Sequence, residues 1–340
     1  MESKKTAVIL INVGTPDEPK VSAVRRYLSE FLNDRRVIDI PLVLQKILVN
    51  LIIVPFRAPK STKLYQRLWT PEGSPLLFYS ERLKAGLQHR LGSKADVFMA
   101  MRYGNPSVKK ALAEIQKGNY DRVIVFPQFP QYASSTNGTA IQAVIDGMRK
   151  WNTIPETLVI NQFYDHPAFL EAFAERIRSC NPDSFDHVVF TYHGLPNRHL
   201  EKNHPNDSIT TCNCENQLPA FGKFCYKATC YQTTRELAKL LGLKREQYSV
   251  SFQSRLSNNW MTPFTDKNLM ERAKPGCKNI LVAAPSFVAD CLETTVEIGY
   301  EYKEMFEHEG GEKLQMVESL NDSPAWIAAM DEMLKPYLMA

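Results

Sequence analysis

The sequence predicts an α/β protein of two doubly wound domains, each on a four-stranded parallel sheet. Three observations carry this. Short β-rich runs alternate with longer stretches of helical period along the whole chain. The first of them, residues 6–13, carries the unbroken apolar stretch AVILI at 7–11, as expected of a strand buried on both faces. Four such runs fall in each half, and a parallel strand is reached only by a crossover long enough to hold a helix.

Taken in order, strands are expected at 6–12, 96–102, 122–128 and 157–162, then at 187–193, 248–253, 279–285 and 313–318. Helical periodicity occupies 80–91, 108–117, 140–149 and 168–178 between them. A boundary near 165–167 gives an N-terminal domain 1–165 and a C-terminal domain 166–340. The last helix, about 324–338, has no strand after it and is expected to pack back on the first domain. No close internal repeat is visible.

At 340 residues the chain can bury two cores. With 44% apolar residues, 23% charged residues and a net charge of +4, it is neither an acidic disordered chain nor basic enough to imply nucleic-acid binding. Residues 1–5 are polar, and the apolar run that follows has no small-residue cleavage site, so no export signal is expected. The seven cysteines then read as thiols or metal ligands in a reducing, cytoplasmic setting.

The segment 40–56, IPLVLQKILVNLIIVPF, is interrupted by Gln45, Lys46 and Asn50 and reads as too short to span a bilayer. Two readings stand: a buried amphipathic helix, or an apolar lip dipping into a membrane interface. Arg57 and Lys60 beside it suit anionic headgroups.

In open parallel sheets ligands bind beyond the carboxyl ends of the strands. Asn12, Arg102 and Gln128 end the first three expected strands; His193 and Gln253 end the fifth and sixth, and Pro285 leads toward Glu293. His193 follows an apolar run and precedes Gly194 and Pro196, so its imidazole either caps a strand end or takes protons or a divalent metal. Asp290, Glu293 and Glu297 recur at helical spacing. Like charges four apart repel, so this is a solvated acidic face unless the carboxylates handle a cation or protons. FPQFPQYASSTNGTA combines prolines, a glycine and hydroxyls ahead of a helix, which either cap that helix or bind an anion. Trp260 lies among polar residues and can be a lid, a core edge or a stacking surface.

Together these segments resemble the ferrochelatases, nearly end to end. The likeness rests on LINVGTP, YQRLWTPEGSPL, MRYGNP, FPQFPQYASSTNG, TYHGLP, SFQSRLSNNWMTP, FVADCLETTVEI and ESLNDSP, eight motifs in family order. The resemblance implies two Rossmann-like, chelatase-like domains with a porphyrin cleft between them, and insertion of Fe2+, the metal substrate, into protoporphyrin IX to give protohaem. It implies that His193 and Glu293 are the catalytic, metal-handling pair. Asn12, Ser74, Arg102, Tyr103, Gln253 and Trp260 would touch the porphyrin or its access path, with Glu297 and Asp290 continuing an acidic route for protons or metal. Insertion expels two pyrrole protons as the metal enters, so a base at one face is what the chemistry needs. Cys291 stands where several relatives carry histidine, and Gly299 lacks a carboxylate that some place nearby.

Cys212, Cys214, Cys225 and Cys230 are crowded as C-x-C, ten residues, C-x4-C. Four soft ligands in one segment, 212–230, indicate a metal site. Resemblance to bacterial ferrochelatases with four internal cysteines implies a [2Fe–2S] cluster; structural zinc is the alternative. Cys180 and Cys277 read as ordinary thiols. Three rival functions remain: a coproporphyrin III ferrochelatase, a cobalt or nickel chelatase of the same fold, and an iron–sulfur or haem sensor. The apolar segment favours protoporphyrin and peripheral contact with the inner face of the cytoplasmic membrane.

Overall fold

The computed structural model describes residues 4–339 except 205–208, 210, 221 and 275. It forms two compact units. The first comprises Met1–Phe129, Ala133–Gln162 and Asp322–Ala340; the second comprises Pro130–Tyr132 and Phe163–Asn321.

In the first unit β1 (Thr6–Thr15), β2 (Asp96–Gly104), β3 (Arg122–Pro127) and β4 (Glu156–Val159) make one sheet in the order β2-β1-β3-β4, every pairing parallel. In the second unit β5 (His187–His193), β6 (Tyr248–Gln253), β7 (Asn279–Ala283) and β8 (Lys313–Met316) repeat it as β6-β5-β7-β8, again parallel. The two doubly wound, four-stranded parallel sheets expected from the sequence are therefore present. Each sheet reverses direction of travel beside its first strand, and that switch point is where such folds hold ligands.

β1 has no polar side because both its faces are covered. Ala7, Ile9 and Ile11 join Val123, Val125 and the helices Val108–Gly118 and Thr139–Met148 in one core. Val8 and Leu10, pointing the other way, are buried as well. Each such side chain contributes about 1.5–3 kcal/mol on leaving water. β1 also runs past residue 12, because Gly14 and Thr15 still pair with Tyr103 and Gly104. In the second unit, Val189, Ile280 and Val282 pack with Leu269, Phe306 and Leu314.

The helix Pro324–Met339 belongs to the first unit. Trp326 is wholly buried, Arg90 pairs with Asp331 at 2.9 Å, and Arg122 donates to the Tyr337 carbonyl. A β-carbon at Gly86 would come within 2.4 Å of Ile327 Cδ1, so the C-terminal helix lies close against the helix Pro75–Leu91 at this point.

The segment around 40–56 departs from expectation. It is part of one helix, Leu42–Leu68, 27 residues long and, by length and composition, apolar enough to cross a membrane. A π-helical turn over Leu48–Ile53 precedes Pro55, and neither Pro55 nor Pro59 ends the helix. Gln45, Val49 and Val54 face inward, while Val43, Leu51 and Phe56 are 70%, 68% and 72% exposed. The buried-helix reading is thus overturned: the apolar stripe is wider than the contact face, and the excess points to solvent.

Candidate active site

In the first unit the expected residues gather at the carboxyl ends of β1 and β2. Asn12 is buried and accepts the Val13 N–H at 2.8 Å. Gly14 has φ +114°, and a β-carbon there would sit 1.8 Å from the Tyr103 carbonyl oxygen, so this crossing of β1 over β2 admits only glycine. Ser74 begins the helix Pro75–Leu91, and its hydroxyl lies 2.9 Å from that of Thr15. Proline at the first helical position is pre-set for this start.

Arg102 and Tyr103 meet on a residue that the sequence did not single out, Asp34. Arg102 Nη2 donates to Asp34 Oδ2 at 2.6 Å and its Nε to Thr139 Oγ1 at 2.6 Å; the Tyr103 hydroxyl donates to the same Asp34 oxygen at 2.9 Å. Burial acts to raise the pKa of Asp34, but hydrogen bonds from Thr139, the Arg36 N–H and Tyr103, with the charge of Arg102, hold it below the ordinary value. Burial, then the Asp34 charge, push the Tyr103 phenol well up. Tyr103 is only 1% exposed, so it braces Asp34 and presents no open ring. The signal for Asp34 was available as NDRR between two helices, but nothing in the sequence marks its partners.

In the second unit, β5 ends on His193, and its register partner on β6 is Gln253. His193 Nδ1 lies 2.7 Å from the Gly194 carbonyl oxygen. A carbonyl can only accept, so Nδ1 carries the hydrogen and Nε2 keeps its lone pair in the neutral ring. The imidazole sits between Trp260 and Phe287, each with ring centroid 6.4 Å away. The strand-like bridge Pro196↔Trp260, with Met261 N–H on the Leu195 carbonyl at 3.0 Å, fixes the indole there. Gly194 allows this: a β-carbon on it would meet the Gln253 carbonyl oxygen at 2.9 Å. From the other side, Tyr226 donates to the His193 carbonyl at 2.9 Å.

Glu293 opens the π-helical segment Leu292–Tyr302. Such wide turns recur at functional sites. Cys291 caps it, its N–H donating to Thr294 Oγ1 at 3.0 Å, and burial raises its thiol pKa. Cys291 is therefore a buried cap. Gln253, also 1% exposed, accepts from Thr191 at 3.1 Å and donates to the Glu293 carbonyl at 3.0 Å and to Glu297 Oε2 at 3.1 Å. Glu297 accepts further from Ser254 N at 2.8 Å, Ser254 Oγ at 2.5 Å and Tyr302 at 2.7 Å. Ser254 reaches it with φ +61°, unusual for a non-glycine residue. Asp290 is closed off differently: Asn321, Thr294 and the Ser319 N–H all donate to its carboxylate. It therefore ties the loop after β7 to the segment after β8. Gln253 and Asp290 thus act on neighbouring groups, a role that spacing alone did not reveal.

In the cysteine segment, Cys214 Sγ and Cys225 Sγ are 4.0 Å apart, and His204 Nε2 is 3.5 Å from each. These three buried donors form the possible metal-binding group among the described residues. Cys212 packs against them and lies beside Cys214. Cys225 is the N-cap of the helix Tyr226–Leu241, and the Cys214 thiol and the Ala228 N–H lower its pKa against burial. The expected fourth ligand, Cys230, is not in the group. Five residues beyond Cys225, it projects from another side of the helix and is buried beside Tyr226 and Tyr192. Among the described residues the group therefore holds two of the four expected cysteines, Cys214 and Cys225, with His204 as its third donor.

The family model for Ferrochelatase matches residues 5–338. A ferrochelatase of Coxiella burnetii (strain CbuG_Q212) is 43% identical over 341 residues, covering 99% of this chain and 95% of that one. One from Legionella pneumophila (strain Lens) is 42% identical over 333 residues, 97% of this chain and 98% of the other. The sirohydrochlorin chelatase SirB from Bacillus subtilis subspecies spizizenii, in complex with cobalt, shares the fold with a TM-score of 0.54 over 98% of this chain and 96% of its own, at 9% identity. With motif order, sheet order and relatives in agreement, the chain belongs to the ferrochelatase family.

Proposed function

We propose that this ferrochelatase inserts Fe2+ into protoporphyrin IX, with His193 as the base that takes a pyrrole proton. One observation carries the assignment: the bond from Nδ1 to the Gly194 carbonyl leaves Nε2 as the open, basic nitrogen of a ring held between two aromatic walls. The reaction balances as Fe2+ plus the free porphyrin giving haem and two protons. Nε2 accepts one proton. Glu293, at the mouth of the π-helical segment, receives the second or passes the metal. Glu297, held by four donors, continues the carboxylate line.

Two features favour protoporphyrin over coproporphyrin, which has four carboxylates to neutralise. Arg102 already pairs with Asp34 and is a poor partner for a rim carboxylate. The exposed apolar face of Leu42–Leu68 suits a hydrophobic macrocycle delivered at a membrane surface, which also supports peripheral membrane contact.

The test is anaerobic Fe2+ insertion followed by the absorbance of the macrocycle. His193→Ala should lose about 10²–10⁴-fold in turnover while still binding porphyrin. A wild type inactive with both porphyrins would end the catalytic reading, and preference for coproporphyrin would overturn the substrate.

A further inference from the structure

We infer that the cysteine segment holds a single tetrahedral zinc ion on His204, Cys212, Cys214 and Cys225, and that Cys230 is not a ligand. Zinc–sulfur bonds near 2.3 Å and zinc–nitrogen bonds near 2.0–2.1 Å give a tetrahedron with edges of about 3.8 Å between sulfurs and about 3.6 Å from nitrogen to sulfur. The observed edges are 4.0 Å for Cys214–Cys225 and 3.5 Å from His204 Nε2 to each sulfur. Three donors on mutual short edges share one ion. In a [2Fe–2S] cluster each iron takes only two protein ligands, so at least one of the three would have to stand off toward a second iron.

The outer contacts fit the same ion. His204 Nδ1 lies 2.8 Å from the Leu200 carbonyl oxygen, so Nδ1 bears the hydrogen and Nε2 offers its lone pair to the centre. Structural zinc sites fix their histidines in this way. Cys212 lies beside Cys214 but outside the mutually close trio, so its sulfur has to swing toward the ion to supply the fourth corner and complete a Cys3His set. Binding converts three thiols to thiolates, releases three protons and leaves a net charge of −1. Lys227 is buried alongside, with Nζ 3.4 Å from the Ile209 carbonyl oxygen and 2.9 Å from Glu215, and places a positive charge next to that centre.

The ion would clamp the segment from 204 to 225 onto the start of the helix Tyr226–Leu241. That helix carries Tyr226, which holds the His193 carbonyl. The site is thus a structural brace one hydrogen bond removed from the proposed base. It does not depend on which porphyrin is bound, and its test does not use insertion activity.

The full chain, purified and equilibrated with zinc or cobalt(II), is assayed for metal per chain, acid-labile sulfide and the visible spectrum of the cobalt form. One zinc per chain, no labile sulfide and tetrahedral cobalt bands rich in thiolate are expected. His204→Ala should lower zinc retention by at least about tenfold, whereas Cys230→Ser retains it fully. If His204→Ala does not fold, His204→Cys decides: it should keep one zinc. Iron with labile sulfide in the wild type, loss of metal in Cys230→Ser, or no retained zinc at all would each overturn the assignment.

Discussion

Gln253 joins two parts of the second unit: its side-chain nitrogen donates both to the Glu293 carbonyl at 3.0 Å and to the Glu297 carboxylate at 3.1 Å. It is also the strand partner of His193. The proposed base and the carboxylates therefore share one buried amide, whose oxygen is in turn held by Thr191.

Replacing Gln253 by leucine should lower turnover by roughly 10–100-fold. As a positioning residue it should change kcat much more than the KM for porphyrin, and Gln253→Glu should not restore the rate, because a carboxylate cannot donate to Glu297. Steady-state kinetics on folded variants checks this; a pure KM effect would show that Gln253 contacts substrate.

Asp34 anchors Arg102, Tyr103 and Thr139 at the end of the first sheet. Asp34→Ala leaves a half-buried guanidinium unpaired and should cost about 2–4 kcal/mol, near the lower end of what breaking a buried pair does. Urea unfolding measures it. A loss under about 0.5 kcal/mol would place the pair among ordinary surface bridges.

His187 lies buried at the start of β5, 3.1 Å from the Ser249 hydroxyl. Burial first, then Arg272 and Arg245, depress its pKa from 6.5 to about 4. Between those values the unfolded chain binds a proton that the folded chain does not, so stability should fall as pH drops through this window and level off below it. His187→Asn, which keeps a polar group for Ser249 without titrating, should flatten that part of the profile of Tm against pH.

Val43, Leu51 and Phe56 project from the helix Leu42–Leu68 into solvent. If they enter a membrane interface, each contributes about 1.5–3 kcal/mol. The triple change to aspartate should then cut co-sedimentation with anionic vesicles by more than about a hundredfold while leaving Tm nearly unchanged. Equal sedimentation of both proteins would remove membrane contact from the proposal.

The sequence by itself determined the two sheets, because stretches such as 7–11 and 188–190 put apolar residues on both faces and a parallel sheet covered by helices buries them. It placed His193 at a strand end, since that position follows from where an apolar run stops, and set Glu293 at helical spacing from Asp290 and Glu297. Tertiary structure decided what local pattern cannot carry. Asp34 is selected by partners 68 and 69 residues away, and His204 by thiols 10 and 21 residues on. Cys230 satisfies the spacing of a ligand, but spacing could not show that it lies on a different face of the helix from Cys225, five residues back. The stripe of Leu42–Leu68 reads the same whether covered or bare, and only packing revealed that half of it is bare. Periodicity records which residues leave water; which side chains meet depends on how the chain returns to itself.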